Sequence, residues 1–349
     1  MNNVYTFFKI FTLIFLIVLF FICVWIVVKW YSDADYKIDS INKGEIITYS
    51  TELGVPDLSS EHIKIISYNM GFAAGPIQHT LADYHPRSFF IKNLDCMIAM
   101  IKSQRAEIVL LQEVDLNSKR SWYLNQLDYI MKGLGWKYAA PVVDWNMYFP
   151  LRKEHKIKKA TVIISKYPIV SNYYTQTSAK SNFENWMLNI FYYPLLWKST
   201  MQKVGIDLGG RIIDIYNVHL CVWSRSARVA QTNFLVNWIK SQGAGHEFII
   251  GGDFNFQAYI RGTPVPEVDM QQEPFMNTLW DNLDGIEEIR STQNSSIADI
   301  HYNYTFPERK HRYDFIFYSN GLHLDKSKII EGIPSSDHLP VSGNFYLEF

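Results

Sequence analysis

The sequence predicts an α/β fold in a single folded domain, with β-sheets covered by outer helices and one transmembrane helix in front of them. Three observations carry that prediction. Short Ile/Val-rich runs of strand length recur along the chain, separated by segments whose apolar residues repeat at helical spacing. The two kinds of segment mix without a strict strand–helix–strand alternation, and no internal repeat is visible. Ahead of them, Ile10 to Val28 is a 19-residue run without charge, in which Thr12 is the only polar residue.

Taken in order, the N-terminal run lies between Lys9 and Lys29. As a helix it spans roughly 28 Å, about the hydrocarbon thickness of a bilayer. A cleaved signal peptide fits less well, because the run exceeds the usual ~7–15 apolar residues and no small-x-small site follows before Ser32-Asp33-Ala34. Trp25, Trp30 and Tyr31 suit an interfacial belt. The expected location is therefore a membrane, with a single-pass anchor over 1–30; Lys9 on one side and Lys29, Lys37 and Lys43 on the other leave its orientation open. Residues 31–60 are polar, contain Gly44, Gly54 and Pro56, and read as a linker to a domain over 61–349. Within that domain, strands are expected at Ile63–Tyr68, Ile108–Leu111, Ala160–Ser165, Arg211–Val218, Phe248–Ile250, Asp314–Tyr318 and Val341–Leu347. Phe90, Ile91, Leu94, Met97, Ile98 and Ile101 mark one helix; Ala227, Ala230, Phe234, Leu235 and Trp238 mark another. The stretch 171–200, with Phe183, Trp186, Phe191, Tyr192, Tyr193 and Trp197, breaks the pattern and reads as an insertion that packs on a sheet or enters a membrane interface.

Composition is that of an ordinary packed globule: 48% hydrophobic, 19% charged, net charge −1. A near-neutral chain has no overall electrostatic footprint for nucleic acid. Locally, Arg152, Lys153, Lys156, Lys158 and Lys159 form a basic run before the strand at Ala160, either a solvated loop or an attractor for phosphate-bearing headgroups. Cys23 lies in the apolar run, and Cys96 and Cys221 read as two free, partly buried thiols. Asn294-Ser295-Ser296 and Asn303-Tyr304-Thr305 match the glycosylation pattern.

Five blocks share one design, an apolar strand running into a polar residue. They present Asn69, Glu113, His219 (with Asn217 two residues before), Asp253 with Asn255, and Asp337 with His338; Asp314 opens a further strand. Taken singly, each is commonplace: a turn residue, a solvated strand end, a satisfied core histidine. Taken together, hard oxygen donors without a His/Cys cage favour magnesium or manganese over zinc. A carboxylate or imidazole to activate water, with amide and imidazolium donors for phosphoryl oxygens, suits a phosphodiester.

From Asn69 to His338 the chain resembles the endonuclease/exonuclease/phosphatase superfamily, which includes pancreatic-type deoxyribonuclease, abasic-site endonucleases, inositol polyphosphate 5-phosphatases and neutral sphingomyelinases. The resemblance implies a four-layer α/β/β/α sandwich, two packed mixed sheets flanked by helices, and a Mg2+-dependent phosphoric ester hydrolase, with Mn2+ as an alternative metal. It implies Glu113 as principal metal ligand, assisted by Asn69, with Asp337 beside the metal. It implies that Asp253 orients or deprotonates the attacking water, that Asn255 binds a phosphate oxygen, and that His338, oriented by Asp314, is a base or phosphate contact. His219 then assists the leaving group or scissile phosphate, while Arg228 and Gln231 are expected to pack. Which of Asp253 and His338 takes the proton is left open. The anchor, the aromatic stretch and the near-neutral charge lead to an expected lipid-headgroup phosphodiesterase of sphingomyelinase or phospholipase C type. Membrane lipid is then both substrate and surface, with no stable nucleic-acid partner. The alternatives are a membrane-tethered nuclease and an inositol-phosphate phosphatase, although no Lys/Arg cluster flanks Asp253 or His338. A tethered interaction module is disfavoured by the completeness of the residue set.

Overall fold

A computed structural model describes residues 10–16, 18–19, 21–22, 36–51, 62–76, 85–148, 156–179, 198–222, 224–255, 275–283, 285–288, 304–308 and 311–347. Its strands are β1 (Tyr36–Ile38), β2 (Asn42–Lys43), β3 (Ile47–Thr48), β4 (His62–Asn69), β5 (Ile108–Asp115), β6 (Tyr138–Tyr148), β7 (Lys156–Ser165), β8 (Ile169–Ala179), β9 (Ser199–Asp207), β10 (Ile212–His219), β11 (Phe248–Asp253), β12 (Ile286–Glu288), β13 (Asp314–Ser319), β14 (His323–Ile329) and β15 (Val341–Tyr346). Its helices are α1 (Arg87–Ser103), α2 (Gln126–Leu134), α3 (Arg225–Lys240) and α4 (Phe275–Asn282). One sheet runs β1-β8-β9-β10-β11-β13-β12, with β2 also on β8; the other runs β14-β15-β4-β5-β7-β6-β3. Both are mixed, with parallel pairs β10–β11 and β4–β5 at their centres.

Strand periodicity explains the layering. Ile63 and Ile65 of β4, Ile108 and Leu110 of β5, Ile213 and Ile215 of β10, Ile249 of β11 and Ile316 of β13 share one buried cluster, the gap between the sheets. The alternate residues of the second sheet, Ile66, Tyr68, Val109 and Leu111, cluster with Phe90, Leu94, Met97 and Ile101 of α1 and Leu127 and Ile130 of α2. Those of the first sheet, Tyr216, Val218, Ile250, Phe315 and Phe317, cluster with Leu235, Val236, Trp238 and Ile239 of α3 and Leu279 of α4. Three apolar clusters in succession make four layers, the α/β/β/α sandwich. At about 25 cal/mol per Å2 of apolar area removed from water, these interfaces are the main stabilising term.

Gly251 lets the sheets meet near one end of the gap, and Gly252 lets β11 lie close to β10. A Cβ on Gly251 would stand 2.9 Å from Leu110 Cδ2 of the opposite sheet. Gly252 has φ +149°, and a Cβ there would overlap the Val218 carbonyl oxygen.

Several elements differ from the sequence reading. Within the expected irregular linker, β1, β2 and β3 pair with β8 on one sheet edge and β6 on the other. The basic run is not all loop, since β7 begins at Lys156 and Lys159 is buried. The expected insertion over 171–200 includes most of β8 and the start of β9, while its aromatic residues from Phe183 to Trp197 lie outside the described residues. The pattern concealed β8 and β9 because they bury polar side chains: Gln202 Nε2 donates to Asn172 Oδ1 at 2.9 Å and to Ala140 O at 2.8 Å, and Gln176 Nε2 donates to Val143 O at 2.8 Å. Cys96 and Cys221 are free thiols. Of the expected anchor, residues 10–16, 18–19 and 21–22 are helical and exposed, and the remainder lies outside the described residues. Among the described residues no helix is long and apolar enough to cross a membrane.

Two outcomes test this packing. Gly252→Ala should cost about 3 kcal/mol in urea unfolding, because the clash is with backbone and not with a movable side chain. Asp214 accepts from Lys203 Nζ at 2.7 Å and lies 3.1 Å from His246 Nε2. Burial raises its carboxyl, but His246 and Lys203 outweigh burial and hold it below the ordinary value. Its stabilisation is thus present above about pH 4 and is lost as pH falls through the depressed folded value. In Asp214→Asn, the acid limb of stability against pH should flatten accordingly.

Candidate active site

The polar residues gather where the inter-sheet gap opens at one end. Along β4, Ile63, Ile65, Ser67 and Asn69 share the inter-sheet face, so the periodicity that buries two isoleucines also aims Asn69 into the gap. The same parity aims Asn217 and His219 of β10, Asp253 of β11 and Asp314 of β13. Glu113 is the exception. Ile108, Leu110 and Gln112 face the gap, so strict alternation would turn Glu113 toward α1 and α2. The β5–β7 ladder slips between Leu111 and Val114, and Glu113 takes a left-handed φ of +58°. This bulge brings its carboxylate toward His219 of the opposite sheet, Oε1 to Nε2 at 3.8 Å.

Asp253 is the centre of the cluster. Its Oδ2 accepts from Asn69 Nδ2 at 2.9 Å, joining the two sheet tips, and its Oδ1 accepts from the Asn255 N–H at 2.8 Å. His219 Nε2 and His338 Nε2 stand 3.9 and 3.8 Å from Oδ2. His338 is fixed through Nδ1, 2.7 Å from Asp314 Oδ2. The segment before β15 is tied in by Ser336 Oγ, which donates to Asn69 O at 2.8 Å, and by the Leu339 N–H, which donates to Thr305 O at 2.7 Å. Gly71, at φ +46°, leaves room for Asp337. Asn255, in the left-handed region, commits one amide hydrogen to Leu220 O at 3.0 Å.

The electrostatics separate these groups. Burial pushes Glu113 up, but Lys159, His219 and Arg120 outweigh it and hold the carboxyl at about 2. Burial, reinforced by Lys159, lowers His219 to about 4, so its contacts with Glu113 and Asp253 are those of a neutral imidazole. Burial also disfavours a charged His338, yet Asp314 and Asp253 raise it to about 10. Asp253 is raised, chiefly by burial. Burial, aided by Glu113, pushes Asp337 up to about 6.

Two places offer cation ligands. Asp253, Asp314 and His338 bring ligand atoms within 4.8 Å of one another. There, however, the imidazole nitrogen facing Asp314 is already hydrogen-bonded, and two carboxylates favour keeping it protonated, so the trio is better described as an oriented acid–imidazole unit. Glu113, Asp337 and Asn69 supply oxygen donors only. Asp337 Oδ2 is buried with no hydrogen-bond partner among the described residues. An orphan carboxylate oxygen near a second, ionised carboxylate fits a hard divalent cation.

All eight residues expected from sequence reach this end of the gap. Sequence reasoning missed Lys159, whose Nζ lies 3.4 Å from Glu113 Oε1 and 3.9 Å from Asp144 Oδ1 at 1% exposure. Five cations in eight residues read as surface, and only the register of β7 against β5 shows that one points inward. It also missed the Gln112–Asn217 bridge, Nε2 to Oδ1 at 2.7 Å, in which Asn217 donates in turn to Leu111 O and Val162 O across the gap. Arg228 and Gln231 anchor the loop after His219 through Cys221 O and the Cys221 N–H, in keeping with a packing role. Lys159→Met should cost about 3 kcal/mol in metal-free unfolding, because it leaves Glu113 and Asp144 buried without their cation.

A family model described as Endonuclease/Exonuclease/phosphatase family matches residues 66–338. Among solved structures, an endonuclease/exonuclease/phosphatase from Beutenbergia cavernae DSM 12333 aligns with TM-score 0.57 at 15% identity, over 82% of this chain and 72% of that one. The human Nocturnin catalytic domain with bound sulfate aligns at 0.53 and 17% identity, over 87% and 97% of the two chains. A mannosyl-6-phosphatase from Bacteroides thetaiotaomicron VPI-5482 aligns at 0.52 and 14%, over 82% and 100%. At such identities the likeness establishes the fold alone. No curated protein matches the chain. The family model spans the strands that deliver every residue of the cluster from Asn69 to His338, and the chain belongs to the endonuclease/exonuclease/phosphatase family.

Proposed function

We propose that this chain is a membrane-anchored, magnesium-dependent phosphodiesterase that hydrolyses a lipid headgroup, of sphingomyelinase or phospholipase C type. Family membership supports phosphoester hydrolysis in general. The observation that carries the reading is the pairing of an oxygen-only donor set (Glu113, Asp337, Asn69) with an oriented imidazole, His338 on Asp314, across one buried carboxylate, Asp253. A neighbour of the same fold holds a sulfate, a tetrahedral oxyanion, and another is a sugar phosphatase by name.

Glu113, Asp337 and Asn69 would hold a magnesium or manganese ion, which neutralises charge on phosphoryl oxygens when bound. Asp253, held through both oxygens by Asn69 and Asn255, is positioned to orient a water and accept its proton. His338 presents Nε2 toward the same space and is suited to donate to a phosphoryl oxygen. His219, its Nε2 also 3.9 Å from Asp253 Oδ2, serves the leaving group. Asn255 keeps its second amide hydrogen for a phosphate oxygen.

The lipid assignment rests on the N-terminal run. Ile10, Phe11, Leu13, Ile14, Phe15 and Phe21 expose between 54% and 64% of their surface, which an aqueous environment does not favour. An anchored enzyme meets lipid at high local concentration.

The test uses the full chain in proteoliposomes, comparing magnesium-dependent headgroup release from sphingomyelin and phosphatidylcholine with cleavage of single- and double-stranded DNA. Headgroup release should fall at least about 100-fold in Glu113→Gln and His338→Ala while both variants stay folded. DNA cleavage with intact vesicles would replace this reading with a tethered nuclease. Wild-type turnover in Glu113→Gln would remove that residue from the metal site.

A further inference from the structure

Two consecutive aromatic residues, Trp122 and Tyr123, both adopt left-handed backbone, with φ +56° and +55°. Such conformations are strained for bulky side chains and persist only where the surroundings enforce them. Here the enforcement is visible. Ser118 and Ser121 are buried, Ser121 Oγ donates to Asp115 Oδ2 at 2.8 Å, and Arg120 clasps the same carboxylate through Nε and Nη2 at 3.0 and 2.8 Å. The Tyr123 N–H donates to Ser118 O at 2.8 Å, and Ser118 Oγ accepts from the Lys158 N–H at 2.9 Å. A rigid polar base thus carries an aromatic pair outward, and Trp122 and Tyr123 are 52% and 45% exposed. Burial does not explain the strain.

This loop follows β5 at the site end of the sandwich, because Asp115 pairs with Lys159 just past Glu113. Val222, 41% exposed, follows His219 at the same end. The chain's entry into the domain is there too. His219 pairs with Thr200, Thr177 with Ser199, and Tyr36 with Ala179, so β1 begins about 10 Å beyond the level of His219 in the outward direction, at ~3.3 Å per residue. Residues 29–35 are all that separate the apolar run from Tyr36, a reach of at most about 25 Å. Pairing of β1–β3 with both sheet edges prevents the domain from swinging on a long tether. Half-buried Lys119 and Lys156 add positive charge at this end.

We propose that the site end of the sandwich is the membrane-facing surface, and that Trp122 and Tyr123 form a wedge entering the bilayer interface beside the active-site opening. Trp and Tyr favour this environment, with apolar rings and a polar edge. The assignment rests on the anchored-enzyme reading above and adds which face meets the lipid. The left-handed turn and the hydrogen bond from Trp122 Nε1 to His85 O at 2.8 Å then fix the rings on the domain surface, with about half of each exposed.

The test places the full chain in phosphatidylcholine–phosphatidylserine vesicles with acyl chains brominated near the headgroup. Part of the tryptophan emission should be quenched, the anchor's Trp25 and Trp30 contributing to it, and the quenched component should be smaller in Trp122→Phe than in the wild type. In Trp122→Gly/Tyr123→Gly, hydrolysis of vesicular lipid should fall about tenfold while turnover of soluble bis(4-nitrophenyl) phosphate is unchanged. Glycine adopts positive φ without strain, so this variant should stay folded. Equal quenching in wild type and Trp122→Phe, with the protein co-floating with vesicles, would overturn the wedge and leave the anchored enzyme standing. Protein that fails to co-float would overturn both.

Discussion

The structure depends on one constraint: several carboxylates are buried at the mouth of an apolar gap between two sheets, and each must be compensated there. The hydrogen bond from Asn69 to Asp253 is the central case, since it links the tips of opposing sheets. Around it, Glu113 is balanced by Lys159, and Asp314 by His338. Arg120 balances Asp115. Charges removed from water are tolerated only with such partners, and a water-poor setting is also where they act strongly on a substrate. The same burial separates the titrations, with Glu113 near 2 and Asp337 near 6.

Backbone strain is concentrated at this end. Glu113, Asn255, Trp122, Tyr123 and Phe72 hold left-handed conformations there. Strain of this kind lies where geometry serves a purpose other than folding. The Glu113 bulge turns a carboxylate from a helix-facing to a gap-facing position; the Trp122–Tyr123 turn faces the aromatic pair outward. Regular strands of Ile and Val supply the rigidity that both distortions need.

This site chemistry suits phosphoesters in general and does not distinguish among them. Selectivity must come from the rim, and three features converge on it: the entry of the chain at Tyr36, the aromatic turn after β5, and the lysines at the start of β7. In the proposed reading the deep residues supply the reaction, while the rim determines what can be presented to it. This division is physically natural, since the interior tolerates little change and loops tolerate much.

Much of the fold was legible from residue order alone. Ile/Val runs at Ile63, Ile108, Arg211 and Phe248 are strands because their alternation or full apolarity has no other use, and the polar residues that end them had to lie at strand tips. Asn69, His219, Asp253 and Asp314 follow from that logic, and the family resemblance added their expected roles. What sequence left hidden is where a local rule gives way to a long-range partner. Strands β8 and β9 bury Gln176 and Gln202, which look like surface until their cross-gap acceptors, Val143 O and Ala140 O, are seen. Lys159 looks like one of five solvated cations until β7 registers against β5 and turns it toward Glu113. Glu113 is an expected metal ligand through the family resemblance, but strict alternation would face it to the helices, and the bulge is what turns it to the gap. Sequence determined which residue types stand at the ends of which strands, because periodicity is local; tertiary structure alone decided which face each one meets, because register and bulges are set by partners distant in the chain.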